Sequence, residues 1–251
     1  MDRIAIIRSE AQRLAEVLAE TDPAARCPTC PDWTTTDLLW HLTEVHFFWA
    51  GVLERNAHTE ADIAAVEQAK PERPSAMADL LALRGQATSA LLDQLDGLDD
   101  AEPRWSWWPP EQTVGFTRRM QTHEAMFHRV DAELAAGLSI SPISPEVAAD
   151  AVDHAVDVMW GWLPGGATYQ PRVVVEFVAS DVDRRWLVEV GQTSVGSPRA
   201  VRATIGDPTA SVSAPVVDLA LWAWTRGGAV EVAGDAASVA ALDAVVNNGM
   251  P

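Results

Sequence analysis

The chain has 251 residues, 48% of them hydrophobic, with 36 acidic against 18 basic side chains and a formal net charge of -18. That length holds one large domain or two small ones, and that apolar content excludes a disordered chain. The negative charge repels phosphate backbones and argues against sequence-independent binding of nucleic acid.

Residues 1–20 place Ile4, Ile7, Leu14, Val17 and Leu18 at helical spacing, with charges between them. A segment so interrupted does not read as a signal peptide, and no later stretch is apolar for long enough to span a bilayer. Two cysteines, Cys27 and Cys30, make no secreted disulfide framework, so the expected location is the cytoplasm, without a membrane partner. The Pro-rich segment "TDPAARCPTCPDW" reads as a turn. It leads into a second helix, "TTTDLLWHLTEVHFFWAGVLERNA", with a threonine as N-cap and Asp37 at the positive end of the dipole. "KPERPSA" precedes a third helical stretch, "MADLLALRGQATSALLDQL", and a fourth runs from about Phe116 to Ala136, stopped by Gly137. Four helices with moderate connections predict a four-helix bundle over residues 1–140.

Past "SISPISPE" one more helix is expected, to about Trp162, and then the texture changes. "PRVVVEFVAS", "RRWLVEVG", "AVRATIG" and "TASVSA" are short, rich in β-branched residues and separated by Gly, Pro or Asp, as strands are. "PVVDLALWAWTRG" and "DAASVAALDAVVNN" read as helices flanking the short strand "AVEVAG". The sequence therefore predicts an α+β protein, a helical bundle followed by a small α+β domain over 141–251.

The stretch "THEAMFHRVDAE" carries His123, Glu124 and His128. Helical residues advance by about 100°, so Glu124 and His128, four apart, share a face, while His123 and His128 diverge by about 140°. The spacing is one residue too long for the His-Glu-x-x-His pair of a zinc protease. A third ligand must come from another helix. His41, set among Leu38, Leu39, Trp40, Leu42 and Val45, is the best candidate, whereas His46, five residues on, diverges from it. Two histidines and one carboxylate suit zinc with an open position, although iron(II) uses similar ligands. On spacing alone the alternative stands, with core histidines and Glu124 paired to Arg118, Arg119 or Arg129.

Two longer motifs narrow the choice. "CPTCPDWTTTDLLWHLTEVHFFWAGVL" and "WSWWPPEQTVGFTRRMQTHEAMFHRVDAELAAG" resemble the paired motifs of the mycothiol-dependent maleylpyruvate isomerase-like proteins, members of the DinB-like four-helix-bundle superfamily. The segment "VVDLALWAWTRGGAVEVAGDAASVAAL" is similar to that family's small second domain. The resemblance implies a divalent metal, usually zinc, held by His41, Glu124 and His128 with room for a further ligand. It also implies mycothiol as a low-molecular-weight thiol cosubstrate. A thiol that coordinates such an ion loses its proton, which makes a nucleophile at neutral pH without a protein base. In the isomerase reaction the thiolate adds to a conjugated double bond, the new single bond rotates, and elimination restores the alkene. Related proteins transfer the thiol instead.

An anionic, carboxylate-bearing substrate needs arginine forks, and Arg84 and Arg226 are the candidate catalytic-site arginines, with salt bridging as the plainer alternative. Asp131, three residues after His128, is placed either to orient it from behind or to close a local hydrogen bond in the helix. Cys27 and Cys30 lack a second pair to complete a zinc site and read as structural. Trp105, Trp107 and Trp108 either wall a pocket or pack. The expected function is a metal- and thiol-dependent isomerase or S-transferase. The competing readings are a non-catalytic metal or ligand binder and a metal-dependent hydrolase on the same bundle.

Overall fold

The computed structural model describes residues 1–163 and 165–250. The chain divides into two compact units, Met1–Ser141 and Pro142–Pro251.

The first unit is built on four long helices. Helix α1 (Arg3–Ala19) is capped by Asp2, whose carboxylate accepts from the Ala5 amide. A short hairpin follows, β1 (Arg26–Cys27) paired antiparallel with β2 (Cys30–Thr34), where the sequence suggested only a turn. Its two strands bring Cys27 and Cys30 opposite each other, both as free thiols. Burial pushes the Cys27 thiol up to about 12, which fits an inert structural residue.

Helix α2 (Thr35–Glu54) starts in a capping box: Thr34 accepts from the Asp37 amide, and the Asp37 carboxylate accepts from the Thr34 amide. The Thr34 hydroxyl also donates to the Asp37 carboxylate at 2.6 Å and Arg73 adds an ion pair at 2.7 Å, and these bonds hold the Asp37 carboxyl at about 2. Helix α3 (Glu60–Ala69), absent from the sequence reading, begins in a second capping box, Thr59 with Asp62. It packs on α2 at Gly51, where a Cβ would lie 2.9 Å from Val66 Cγ1, so glycine permits the close approach. Helices α4 (Met77–Gly97) and α5 (Val114–Ala135) complete the bundle, α4 against α2 and α5 against α1. Gly137, at φ 68°, lies just beyond the C-cap of α5, as its place in the sequence predicts.

The bundle's core is aliphatic. Leu14, Leu18, Leu38, Leu39, Leu42 and Leu80 are all fully buried, each contributing about 1.5–3 kcal/mol of transfer free energy. Trp105 stacks on Trp49 with ring centres 5.8 Å apart, and Trp107 meets Phe116 edge-on while donating to Met120 Sδ. Both indoles are thus engaged in packing.

The second unit opens with α6 (Pro145–His154), which widens into a π-helical turn over Ala155–Met159. Strands β3 (Tyr169–Ala179), β4 (Arg185–Thr193), β5 (Pro198–Arg202), β6 (Ala210–Ala214) and β7 (Glu231–Gly234) form one sheet in the order β5-β4-β3-β6-β7. Only β3 and β6 run parallel. Helix α7 (Val216–Ala223) connects β6 to β7, and α8 (Ala236–Asn247) packs on the sheet. Alternation along the strands buries Val175, Phe177, Trp186, Val188 and Val212 on the helix-covered face. The chain is an α+β protein with a helical N-terminal bundle.

Candidate metal centre

Two helices and one hairpin position the cluster. The Thr34 cap fixes the start of α2, which puts His41 two turns into the helix. Helix α5 is anchored at its start by Thr113, which accepts from the Phe116 amide. Within α5, Glu124 and His128 lie one turn apart on the same face, as their spacing requires. His41 Nε2 lies 2.8 Å from Glu124 Oε1, and His128 Nε2 lies 3.2 Å from that same oxygen. One ligand atom from each of the three residues falls within 4.8 Å of the other two. Among the described residues, this is where three such side chains converge.

The surroundings prepare the donors. Asp131 Oδ2 sits 2.8 Å from His128 Nδ1, so that nitrogen donates to the carboxylate and Nε2 is the nitrogen that faces the cluster, able to ligate once its own proton is displaced. Thr29, in the hairpin turn, donates to Asp131 Oδ1 at 2.5 Å, and Cys30 Sγ lies 3.8 Å from Oδ2. Trp33 on β2 covers one side, its ring centre 4.6 Å from His41 and 5.9 Å from His128. The His41 and Glu124 side chains keep about a quarter of their surface exposed, 27% and 26%, so the cluster opens to solvent on that side.

Charge follows the same geometry. Burial works against a charged His128, but Glu124 and the Asp131 bond outweigh it and lift the imidazole to about 9. Desolvation likewise opposes the Glu124 carboxylate, and His128 and His41 overcome it, holding the carboxyl well below its usual range. A carboxylate and two imidazoles facing one point form a proton-holding cluster that a divalent cation can take over, as metal binding displaces protons from such ligands. The donor set, two nitrogens and one oxygen with an open side, fits zinc.

The salt-bridge alternative for Glu124 is not realised at Arg118 or Arg129. Arg118 pairs with Asp100 and donates to the Leu98 carbonyl at 3.0 Å, while Arg129 is taken by Glu10 and Glu133. His123 is buried in α5 but outside the cluster, and His46 is buried with its Nδ1 3.0 Å from Thr88 Oγ1. Arg84 faces the bundle interior from α4, only 8% exposed. Arg226 belongs to the second unit, just past α7, where its Nη1 donates to the Trp224 carbonyl at 2.8 Å. Sequence reasoning missed Trp33 and Thr29 as contributors. The signal for Trp33 was its place immediately before the α2 cap; for Thr29, far from Asp131 in sequence, there was none.

Residues 4–133, more than half of the chain, match the model of the mycothiol maleylpyruvate isomerase N-terminal domain. The chain belongs to this family. Among solved structures, the fold is similar to that of the mycothiol-dependent maleylpyruvate isomerase, with a TM-score of 0.63 at 14% identity over 93% of each chain. A histidine-to-alanine mutant of that isomerase matches equally well, with a TM-score of 0.62 at 14% identity over the same coverage. No curated protein matches. Family and fold together point to a maleylpyruvate isomerase-like protein, and no described helix is long and apolar enough to cross a membrane.

Proposed function

We propose that the protein is an enzyme that binds a divalent metal, zinc by preference, through His41, Glu124 and His128, and uses mycothiol as cosubstrate. The reaction class is cis-trans isomerisation of an electrophilic alkene or transfer of the thiol to an electrophile. The observation that carries the reading is the convergence of the His41 and His128 Nε2 atoms on one Glu124 oxygen, with Asp131 behind His128. When bound, the ion would supply positive charge that lowers the pKa of a thiol beside it.

The chain's own residues would do the rest. Asp131 holds the His128 tautomer, and Thr29 holds Asp131. Trp33 shields one side of the histidine pair from water. Arg84 and Arg226 are the proposed partners for substrate carboxylates, since a guanidinium fork pairs with them bidentately. The proposed domains are a DinB-like metal-binding bundle over 1–140 and a small α+β domain over 141–251, acting in the cytoplasm without nucleic-acid or membrane partners.

The test is turnover of maleylpyruvate and of a panel of electrophiles by metal-loaded protein, with and without mycothiol. The reading expects turnover only with thiol, lost in His128→Ala. Turnover that ignores the thiol would contradict it and favour hydrolysis on the same bundle.

A further inference from the structure

In the second unit a small cavity opens where the π-helical turn after α6, strand β5 and the end of α8 pack together. Met159, Pro198 and Val245 wall it, and Trp160, Arg199 and Asn248 also line it. Its accessible volume is about 10 Å³, room for one water-sized occupant. Trp160 is 3% exposed, its ring edge-on against Phe177 and Trp222. Its Nε1 has no hydrogen-bond partner among the described residues, although buried indole N–H groups as a rule find an acceptor.

Arg199, on β5, is the second buried donor, 8% exposed. Its Nε donates to the Trp162 carbonyl at 2.5 Å, and its Nη1 to the Ser197 hydroxyl at 3.0 Å and the Pro198 carbonyl at 2.6 Å. Among the described residues nothing accepts from Nη2, and no carboxylate lies within ion-pair distance. Burial alone pushes the guanidinium below its usual value, with no anion opposing it. A buried cation without an adjacent anion is costly, and native cores rarely keep one without a reason. The C-terminal end of α8 offers the cation its dipole, but its last carbonyls are already engaged. Those of Ala244 and Val245 accept from the Asn248 amide, and that of Val246 from the Gly249 amide.

The two donors select their occupant. Indole and guanidinium offer hydrogens only. A water that accepted from both would turn its own hydrogens toward Met159, Pro198 and Val245. A single-atom anion accepts from both and neutralises the guanidinium, and the cavity is too small for phosphate or sulfate. We propose that Trp160 and Arg199 form a chloride site in the second unit, in which one halide ion joins the π-helical turn to β5. Asn248, exposed at the rim, can add an amide N–H. The site uses no residue of the bundle, so it does not depend on the proposed metal chemistry.

The test is titration of the metal-stripped full-length protein with sodium chloride, followed through the indole N–H signals in nitrogen–proton NMR. The Trp160 signal is assigned by its absence in Trp160→Phe, which keeps an aromatic ring in place. Sodium gluconate at matched ionic strength is the control. The expected result is a Trp160 signal that moves along a saturating curve with chloride, moves also with bromide, and stays still in gluconate. This readout needs no variant of Arg199 to fold. Line broadening of chlorine-35 should then show chloride affinity lowered about 10–100-fold in Trp160→Phe and in Arg199→Gln, the scale of a hydrogen bond to a charged group. A Trp160 signal that responds alike to both sodium salts, or to neither, would overturn the site and leave water and the end of α8 as the partners of these donors. Chloride affinity equal in the parent and both variants would overturn it as well.

Discussion

Two of the three carboxylates on helix α5, Glu133 and Glu124, stand in very different circumstances. Glu133 is buried and closed: Oε1 accepts from Arg13 Nε at 3.0 Å and Ser141 Oγ at 2.5 Å, and Oε2 accepts from the Ser141 amide and Arg129 Nη1, both at 2.8 Å. Arg129 in turn reaches Glu10 at 2.6 Å. Glu124 instead faces two imidazoles through one oxygen and keeps a solvent-open side. A closed network fixes structure and leaves nothing for a ligand, whereas an under-filled cluster of basic nitrogens and a carboxylate offers lone pairs to a cation. Burial alone does not mark a site; unused donor and acceptor capacity does.

The comparison can be broken by substitution. Glu133→Ala leaves the Arg129 guanidinium beside a vacated partner and should cost about 3–5 kcal/mol of stability in chemical denaturation, while metal content stays at parent level. Loss of metal without loss of stability would mean that the two carboxylates have exchanged roles. His41→Ala and His128→Ala should each weaken zinc affinity by more than about 100-fold in competition with a chelator. That loss exceeds the 10–100-fold typical of groups behind the ligands. His123→Ala and His46→Ala should leave zinc affinity near that of the parent, and equal affinities in all four variants would refute the ligand set.

A smaller effect sharpens the contrast. Asp131→Asn keeps the shape but weakens the hold on His128 Nδ1, and should lower zinc affinity by about 10–100-fold. A Thr29→Val variant should move the same way by less. The pH response is smaller still. In metal-stripped protein His128 is raised from 6.5 to about 9, so its contribution to stability is complete below the unfolded value and is lost as pH rises through about 9. Thermal melts should therefore fall across that window, and Glu124→Gln should flatten the fall. A stripped protein whose stability holds steady across the window would refute this charge assignment.

Much of the cluster was legible in the sequence because helical period is a strong signal. Glu124 and His128 are four apart, His123 is out of phase, and His41 stands in an apolar run, and each follows from geometry that a helix imposes. The long helices and the strand segments along the chain were readable for the same reason, in period and punctuation, while their order in the sheet was not. Helix α3 escaped notice, although Thr59 and Asp62 carry a capping-box pattern. It buries little beyond Val66, so no apolar stripe announced it. The β1–β2 hairpin escaped too, since two strands of two and five residues leave no alternation to read. Contacts between distant segments had no local signal. Thr29 meets Asp131, and Thr88 meets His46, only because the helices pack as they do.

The most direct test of the central claim is elemental analysis of tag-free protein beside its His128→Ala variant. The account predicts near-stoichiometric zinc in the parent and its loss in the variant, with both proteins folded. Parent protein that takes up no metal even after reconstitution would contradict it, and would make the His41–Glu124–His128 cluster a set of packed ion pairs.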